Sequence, residues 1–595
     1  MAPPVIRINR RQLVKIIASS TASLLLKTRS GFAQQLTAPA ENKQALEELA
    51  APGADSVFVP SFNDLHDPSG YYKTQGYEKI TMLRVDVVTR TSPGLCTPDD
   101  MSGCTLQNVK ADNNSKDSFK VDIPVSFSSD DFSYSGVSPN ALLRQRGDTS
   151  RSASMKSFRI RLDSKKHLWR NEQRLQLNKH PYDPTRITNK LCFDLMAKVP
   201  YLPSLRTQFV NLWIDDGDGP VDQGLYTHVE APVKEYLINR GNSKDDNLYK
   251  AERFLFSTDD LAQMTLDADG APLDEQGFEN SMEIKRGKDH RNLIEMIKAV
   301  NDPEISMESL LDRYFNRNNI LMWMSMNLLM GQHDVVSQNF YLYNPAGTKT
   351  FYFLPWDYDL AFRTQPELKD VFDFQHARDR LSYGFARWAP NRFLSRYLRQ
   401  PGIHSTLLRA AEEVRDKYLS DESIKGLVSQ YALLVRPLLK REPDLSHLMG
   451  VHREDNFHLW DQKLASLPGV VASNLEWLRL SPNMPLPHQL EPSIIREGNV
   501  VLAWSQAHEL GGHTLYYDLE IANDPAFGPD SIVYRDTGIN DKPKRIEYSL
   551  SKDKLPAGTL YYRVWARVGQ GSQGFSQLAS TRLLQKNAMY IGVQS

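Results

Sequence analysis

Apolar residues change their period along this chain, and that change restricts the available folds more than any single motif does. KITMLRVDVVT (79–89) alternates apolar and polar positions, as a half-buried strand requires. SFRIRL (157–162), TQFVNLWID (207–215) and QGLYTHVE (223–230) read as further strands, the last two joined by DGDGPVD, and RITNKLCFDLMAKV (186–199) reads as a helix behind the turn-forming PYDPT. From about residue 290 the period becomes helical, through NLIEMIKAV and then MESLLDRYFNRNNILMWMSMNLLMG, which ends at Gly331. NFYLYN and TFYFLPWD predict a hairpin around PAGTK, and more helices are expected from about 391 to 480. Pro-rich SPNMPLPHQLEPS (481–493) marks a boundary. Beyond it, NVVLAWSQ, TLYYDLEIA, SIVYRD, RIEYSL and TLYYRVWARV are short strands between turns. The fold class expected is therefore α+β followed by a small all-β sandwich, since 595 residues exceed what one core ordinarily organises.

The charge balance, 71 basic against 72 acidic residues, supplies no bulk attraction to nucleic acid or acidic membranes, so function has to be sought in local sites. Three cysteines are too few for a disulfide scaffold, but Cys96 and Cys104 bracket a turn-rich loop that can close in an oxidising compartment. Cys192 falls within the apolar period of a helix and reads as a core thiol. The N-terminus points to export: Arg10 and Arg11 precede IIASSTASLLL, and SGFAQQ offers cleavage after Ala33, a pattern resembling a twin-arginine signal over 1–33. Residues 34–74 follow as a linker carrying one short helix, QALEELA. Apart from the signal, no run approaches the apolar length of a transmembrane anchor.

Motifs for zinc and serine-hydrolase chemistry, HExxH, CxxC and GxSxG, do not occur. DGDGPVD lacks the ligand alternation of a calcium loop and reads as a hairpin turn. The Met and Trp positions at 322–330 read as core. HDVVSQNFYLY (333–343) and PWDYDLAF (355–362) are more informative. Asp334 and Asn339 are separated by four residues at a loop-to-strand junction, and the hairpin then leads to Asp357 and Asp359. A carboxylate there can accept a hydroxyl proton, and an amide oxygen with a further carboxylate can ligate magnesium. Protein kinases place their catalytic and metal-binding groups in this order.

RGDTSR (146–151), MKSFRIRL (155–162), Arg186 with Asn189, LWID with QGLYTHVE, NLYKA (247–251), NFYLY and PWDYDLAF together resemble the ordered blocks of the CotH family of atypical, spore-coat-type or secreted protein kinases. The resemblance implies a two-lobed kinase-like domain over 75–480, with an N-lobe to 255 and a C-lobe from 256. It implies ATP as cofactor, Mg2+ or Mn2+, and a protein Ser/Thr substrate. Asp334 would be catalytic, and Asp357, Asn339 and Asp359 would serve the metal, with Asp359 alternatively capping the turn before LAF. Lys156, Arg146, Glu230 and Arg186 would contact the nucleotide or support that contact, Glu230 alternatively pairing with Lys156. Asp148 stands where the family's asparagine is expected, adding negative charge that should weaken nucleotide binding unless a metal offsets it. The RGD tripeptide coincides with a family block, which argues against an adhesion motif. After a linker over 481–489, residues 490–587 resemble a fibronectin type III module, through Trp504, the LPAG turn and YYRVWARV, that can contact the cell envelope or a polymer. The expected protein is an exported phosphotransferase, periplasmic or secreted, with no nucleic-acid partner. A catalytically silent surface protein and a phosphotransferase for a non-protein acceptor are the alternatives.

Overall fold

The computed structural model describes residues 56–65, 79–88, 95–113, 119–136, 138–163, 168–364, 384–448, 453–481, 485–486, 488–569, 576–578 and 589–593. The export signal, the helix expected at QALEELA and most of the linker lie outside the described residues. The chain is mixed α and β, with several sheets.

Strands β1 (Thr81–Val87), β2 (Ile123–Ser129), β3 (Ala141–Arg146), β4 (Ser157–Leu162), β5 (Arg174–Asn178), β6 (Thr207–Asp215) and β7 (Pro220–Glu230) close into a barrel. Its strand order is β1-β2-β3-β4-β5-β7-β6, with β1 parallel to β6 and the other neighbours antiparallel. Successive side chains on a strand point to opposite faces. Leu83, Val85, Phe127, Leu143, Ile160, Leu175 and Leu212 therefore fill the interior. The intervening positions of β3 to β5 face outward, and five of them are arginines. Cys96 and Cys104 form a disulfide in the loop after β1.

A second sheet, β8 (Asn247–Ala251), β9 (Met282–Arg286), β10 (Phe340–Asn344) and β11 (Tyr352–Pro355), is ordered β11-β10-β8-β9 and antiparallel throughout. It shares one large core with helices α1 (Thr188–Met196), α2 (Arg317–Leu329), α3 (Ile403–Tyr418), α4 (Asp421–Leu439) and α5 (Arg453–Leu480). The expected helix over 186–199 begins only at Thr188, because the Asp183 carboxylate of PYDPT accepts from the backbone N–H of both Thr185 and Thr188. Cys192 in α1 is fully buried, and burial pushes its thiol pKa far up. Asn316 caps α2 by accepting from Asn319 N–H. Almost every α2 residue is buried, so α2 is a central strut. It stops before Gly331, whose φ is 58° and where a Cβ would lie 1.8 Å from the Arg363 carbonyl oxygen. That close approach brings the chain after PWDYDLAF against the end of α2.

The C-terminal region forms two facing sheets around a separate core. One is β12 (Ile494–Arg496), β13 (Asn499–Ser505) and β16 (Arg545–Ser551); the other contains β14 (Leu515–Ala522), β15 (Ile532–Asn540), β17 (Gly558–Val568), β18 (Ser576–Leu578) and β19 (Met589–Val593). Trp504, Tyr517 and Tyr562 are fully buried between them.

Candidate active site

The loop after α2 and the segment after β11 are tied by one side chain. Gln332 Nε2 donates to the Asp357 carbonyl at 2.9 Å, and its Oε1 accepts from Asp334 N–H at 3.2 Å. Phe362 N–H adds a bond to the Met330 carbonyl at 2.6 Å. The backbone here is unusual for side-chain-bearing residues: φ is 59° at Asn339, 55° at Asp357 and 55° at Phe362, with 47° at His180 and 64° at Arg186 nearby. Non-glycine residues adopt this region at a cost, and such conformations gather at functional sites.

Asp334 Oδ2 accepts from Gln338 Nε2 and Asn339 Nδ2, each at 2.9 Å, while Oδ1 lies 3.7 Å from the Arg387 guanidinium. Burial raises its pKa despite these partners, which poises the carboxylate to accept a proton. Asn339 therefore orients Asp334 through its amide nitrogen, and its oxygen remains as an acceptor. Asp357 is raised to about 6, by burial first and then by the Asp359 charge, against the opposing pull of Arg146, His180 and Lys250. Asp359 also raises Asp334, so its charge acts on both other carboxylates. Asp359 Oδ2 meets His180 Nδ1 at 3.3 Å; the turn before LAF is closed by a backbone bond from Ala361 N–H to the Tyr358 carbonyl.

Arg146, at the end of β3, faces the same carboxylates. Burial lowers its pKa, while Asp357, Tyr341 and Asp359 raise it, and its guanidinium lies over Trp356 at 6.0 Å. Arg146 is thus turned to Asp357, with Asp148 exposed on the loop beyond it. Arg151 shapes that loop: its guanidinium donates to the carbonyls of Gly147, Asp112 and Gln145 and pairs with the Asp112 carboxylate at 3.1 Å.

The remaining nucleotide candidates are held elsewhere. Lys156 Nζ donates to Asn113 Oδ1 at 2.8 Å and to the Arg151 carbonyl at 2.6 Å, and neither Glu230 nor an aspartate of the site is its partner. Glu230 is fully buried, 2.9 Å from Arg240 and 3.6 Å from Arg206. Burial pushes its pKa up, and the two guanidinium charges more than reverse this. Enclosed in this way, Glu230 offers no surface to adenine or ribose. Arg186 donates to the carbonyls of Lys179 at 3.0 Å, His180 at 2.5 Å and His447 at 2.8 Å, so it supports the strained backbone that presents His180.

Sequence reasoning missed Gln332, His180, Arg387 and Lys250. Lys250 lies in the NLYKA block and Gln332 adjoins HDVVSQN, so their motifs were visible; His180, far upstream of the carboxylates, gave no local signal. His180 Nε2 is also 3.2 Å from Asn189 Nδ2, and Asn189 Oδ1 accepts from Tyr358 N–H at 3.0 Å, which explains the Asn189 of the R-x-x-N block.

Asp357, Asp359 and the Asn339 amide are oxygen donors of the kind a hard divalent cation takes. Among the described residues no group of three or more His, Cys, Asp or Glu has metal-binding geometry. Magnesium is commonly held by one or two carboxylates plus substrate phosphates, and the raised Asp357 beside Asp359 is the excess negative charge that such a cation offsets.

Asp357 on strained backbone, Asp359 acting on it and on Asp334, and Arg146 of the barrel within their electrostatic reach form a polar site. The chain belongs to the family described as CotH kinase protein, whose model matches residues 143–478. It is 23% identical over 303 residues to the inner spore coat protein H of Bacillus subtilis (strain 168), a match that spans 50% of this chain and 77% of that protein.

Proposed function

We propose that the protein is an exported, ATP- and divalent-metal-dependent phosphotransferase acting on protein serine or threonine. The observation that supports this reading is the Gln332 bridge, which ties the backbone of Asp334 to that of Asp357. The two-lobed reading assigns the barrel to one side of the cleft and the helical body to the other. A divalent cation held by Asp357 and Asp359 would shield the phosphate charge. Asp334 Oδ1 accepts the proton of the acceptor hydroxyl as its oxygen bonds to the γ-phosphorus, and ADP leaves with the electrons of the broken P–O bond. Asp357, with Asp359, would hold the divalent cation on the phosphates, Asn339 orients Asp334, and Arg146 faces the phosphates.

The relative's description as a spore coat protein supports a location outside the cytoplasm, periplasmic or secreted, with the C-terminal sandwich available to an envelope component. Among the described residues no helix is long and apolar enough to cross a membrane. Purified protein incubated with labelled ATP and Mn2+ or Mg2+ should label itself or a protein acceptor, and Asp334→Ala and Asp357→Ala should each lose at least about 100-fold of the rate. Lack of nucleotide binding in the wild type would refute the reading and favour a silent binding protein; transfer to a non-protein acceptor alone would refute the protein-kinase assignment.

A further inference from the structure

One outer wall of the barrel gathers five arginines, of which Arg144 pairs with Asp122, Arg146 feels Asp357 and Asp359, and Arg174 feels Glu283. Across β3, β4 and β5, Arg144 is opposite Arg159 and Arg161 is opposite Arg174. Arg146 lies on the same face as Arg144, two residues along the strand. Arg144 is matched by Asp122, which accepts from its Nε at 2.7 Å. Arg146, Arg159, Arg161 and Arg174 make no hydrogen bond or ion pair among the described residues, and Arg159 Nε is buried without an acceptor. Burial, then the charges of Arg144, Arg174, Arg161 and Arg146, bring the Arg159 guanidinium down to about 9. Packing like charges on a half-buried surface opposes folding unless an anion joins them.

The wall begins at the carboxylates, since Arg146 lies within electrostatic reach of Asp357 and Asp359. A rise of about 3.4 Å per residue and a strand spacing of about 4.8 Å put the Cα atoms of Arg146 and Arg159 roughly 8 Å apart, comparable to the span of a triphosphate. Guanidinium forks match phosphate oxygens in bidentate fashion.

We propose that this wall binds an oligophosphate chain: Arg146 and Arg159 hold successive phosphates of a chain that ends at Asp357, and Arg161 and Arg174 draw it in. The proposal rests on the phosphotransferase reading for the chain's direction. It assigns phosphate binding to an arginine ladder on the barrel in place of Lys156. The shared chemistry fits a nucleoside triphosphate or inorganic polyphosphate.

The test titrates the full chain, with Mn2+, against ATP, tripolyphosphate and hexaglutamate, for wild type, Arg159→Gln and Arg174→Gln. Arg159→Gln should weaken ATP and tripolyphosphate by at least about tenfold, the loss expected for one charge-assisted contact, and Arg174→Gln by less. Tighter ATP than tripolyphosphate assigns the wall to a nucleotide; the reverse order assigns it to polyphosphate, and both support the wall. Ligand-free Arg159→Gln should melt no lower than wild type, because a repelled cation has gone, yet should lose most of the stabilisation by tripolyphosphate. Unchanged tripolyphosphate affinity, a lower ligand-free melting temperature, or hexaglutamate binding as tightly as tripolyphosphate would each overturn the proposal. Tenfold weaker binding in a protein that transfers no phosphate would leave the wall standing and remove the phosphotransferase reading. Transfer with an unchanged KM for ATP in Arg159→Gln would do the opposite.

Discussion

Asp357 carries its charge at a cost to folding, and the sign of that cost is testable. Its pKa is raised to about 6 from an ordinary value of 3.8. Between those values the native state binds more protons than the unfolded state, so this residue's contribution to stability falls as pH rises from about 4 to 6 and stays at its lowest above 6. Asp357→Asn should therefore stabilise metal-free protein at pH 7 by about 1–3 kcal/mol, read as a higher melting temperature, while removing metal-dependent activity. Wild-type metal affinity, followed by calorimetry, should weaken as pH drops through 6, because protons compete for the carboxylate. A metal-free Asp357→Asn protein that melts lower than wild type would contradict this account. The nearness of Asp334 and Asp357 was legible in the sequence because a short hairpin fixes their separation, so order and spacing carry geometric meaning. The alternative Glu230–Lys156 pair does not form, for the opposite reason: Glu230 pairs with Arg206 and Arg240, and Lys156 bonds Asn113 and Arg151, partners that no local spacing reveals.

The elements that present these residues are joined across the barrel by a buried ion pair. Lys179, just after β5, lies 2.9 Å from Asp444, both essentially without exposure, and Asp444 Oδ2 also accepts from Leu225 N–H on β7 at 2.6 Å. Gly224 permits this approach, because a Cβ there would sit 2.0 Å from Asp444 Oδ2. Burial brings the Lys179 ammonium down to about 8, against the attraction of Asp444. Asp444→Ala leaves a buried cation and an unpaired N–H, so it should destabilise the protein by about 3–5 kcal/mol, read as a shift in the chemical denaturation midpoint. The joint change of Lys179→Met and Asp444→Leu should cost much less, which separates loss of the pair from stranding of one charge. Individual strands such as KITMLRVDVVT were legible from alternation, and Gly331 was legible as a helix end. Barrel closure was not, because β1 finds its parallel partner β6 more than a hundred residues later, and that pairing leaves no period in either strand.

At the scale of the whole molecule, the composition break at SPNMPLPHQLEPS was visible, but the sequence did not show how tightly the sandwich is attached. Leu486 belongs to the large core and Leu490 to the sandwich core, so few residues separate them. Leu486 N–H donates to the His508 carbonyl at 2.6 Å, and Leu510, in the loop before β14, packs against the large core. His508 is held at low pKa by burial and by Arg399, with a bond to the Leu398 backbone opposing the shift. The sandwich is thus seated on the helical body through Leu510 and the Leu486–His508 bond, and none of the hydrogen bonds that build the site comes from it. Leu510→Asp places a charge in that junction without entering either core's centre, at a cost of about 1–3 kcal/mol. Limited proteolysis should then cut within 481–493 several-fold faster than in wild type, because detachment exposes that segment. Nucleotide binding and metal-dependent transfer should stay within about twofold of wild type, since Gln332, Asp334 and Asp357 draw none of their bonds from the sandwich. A parallel loss of transfer would show that the sandwich holds the helical body in its active arrangement, making it a part of the catalytic unit; unchanged cleavage would show that the Leu510 contact does not anchor it.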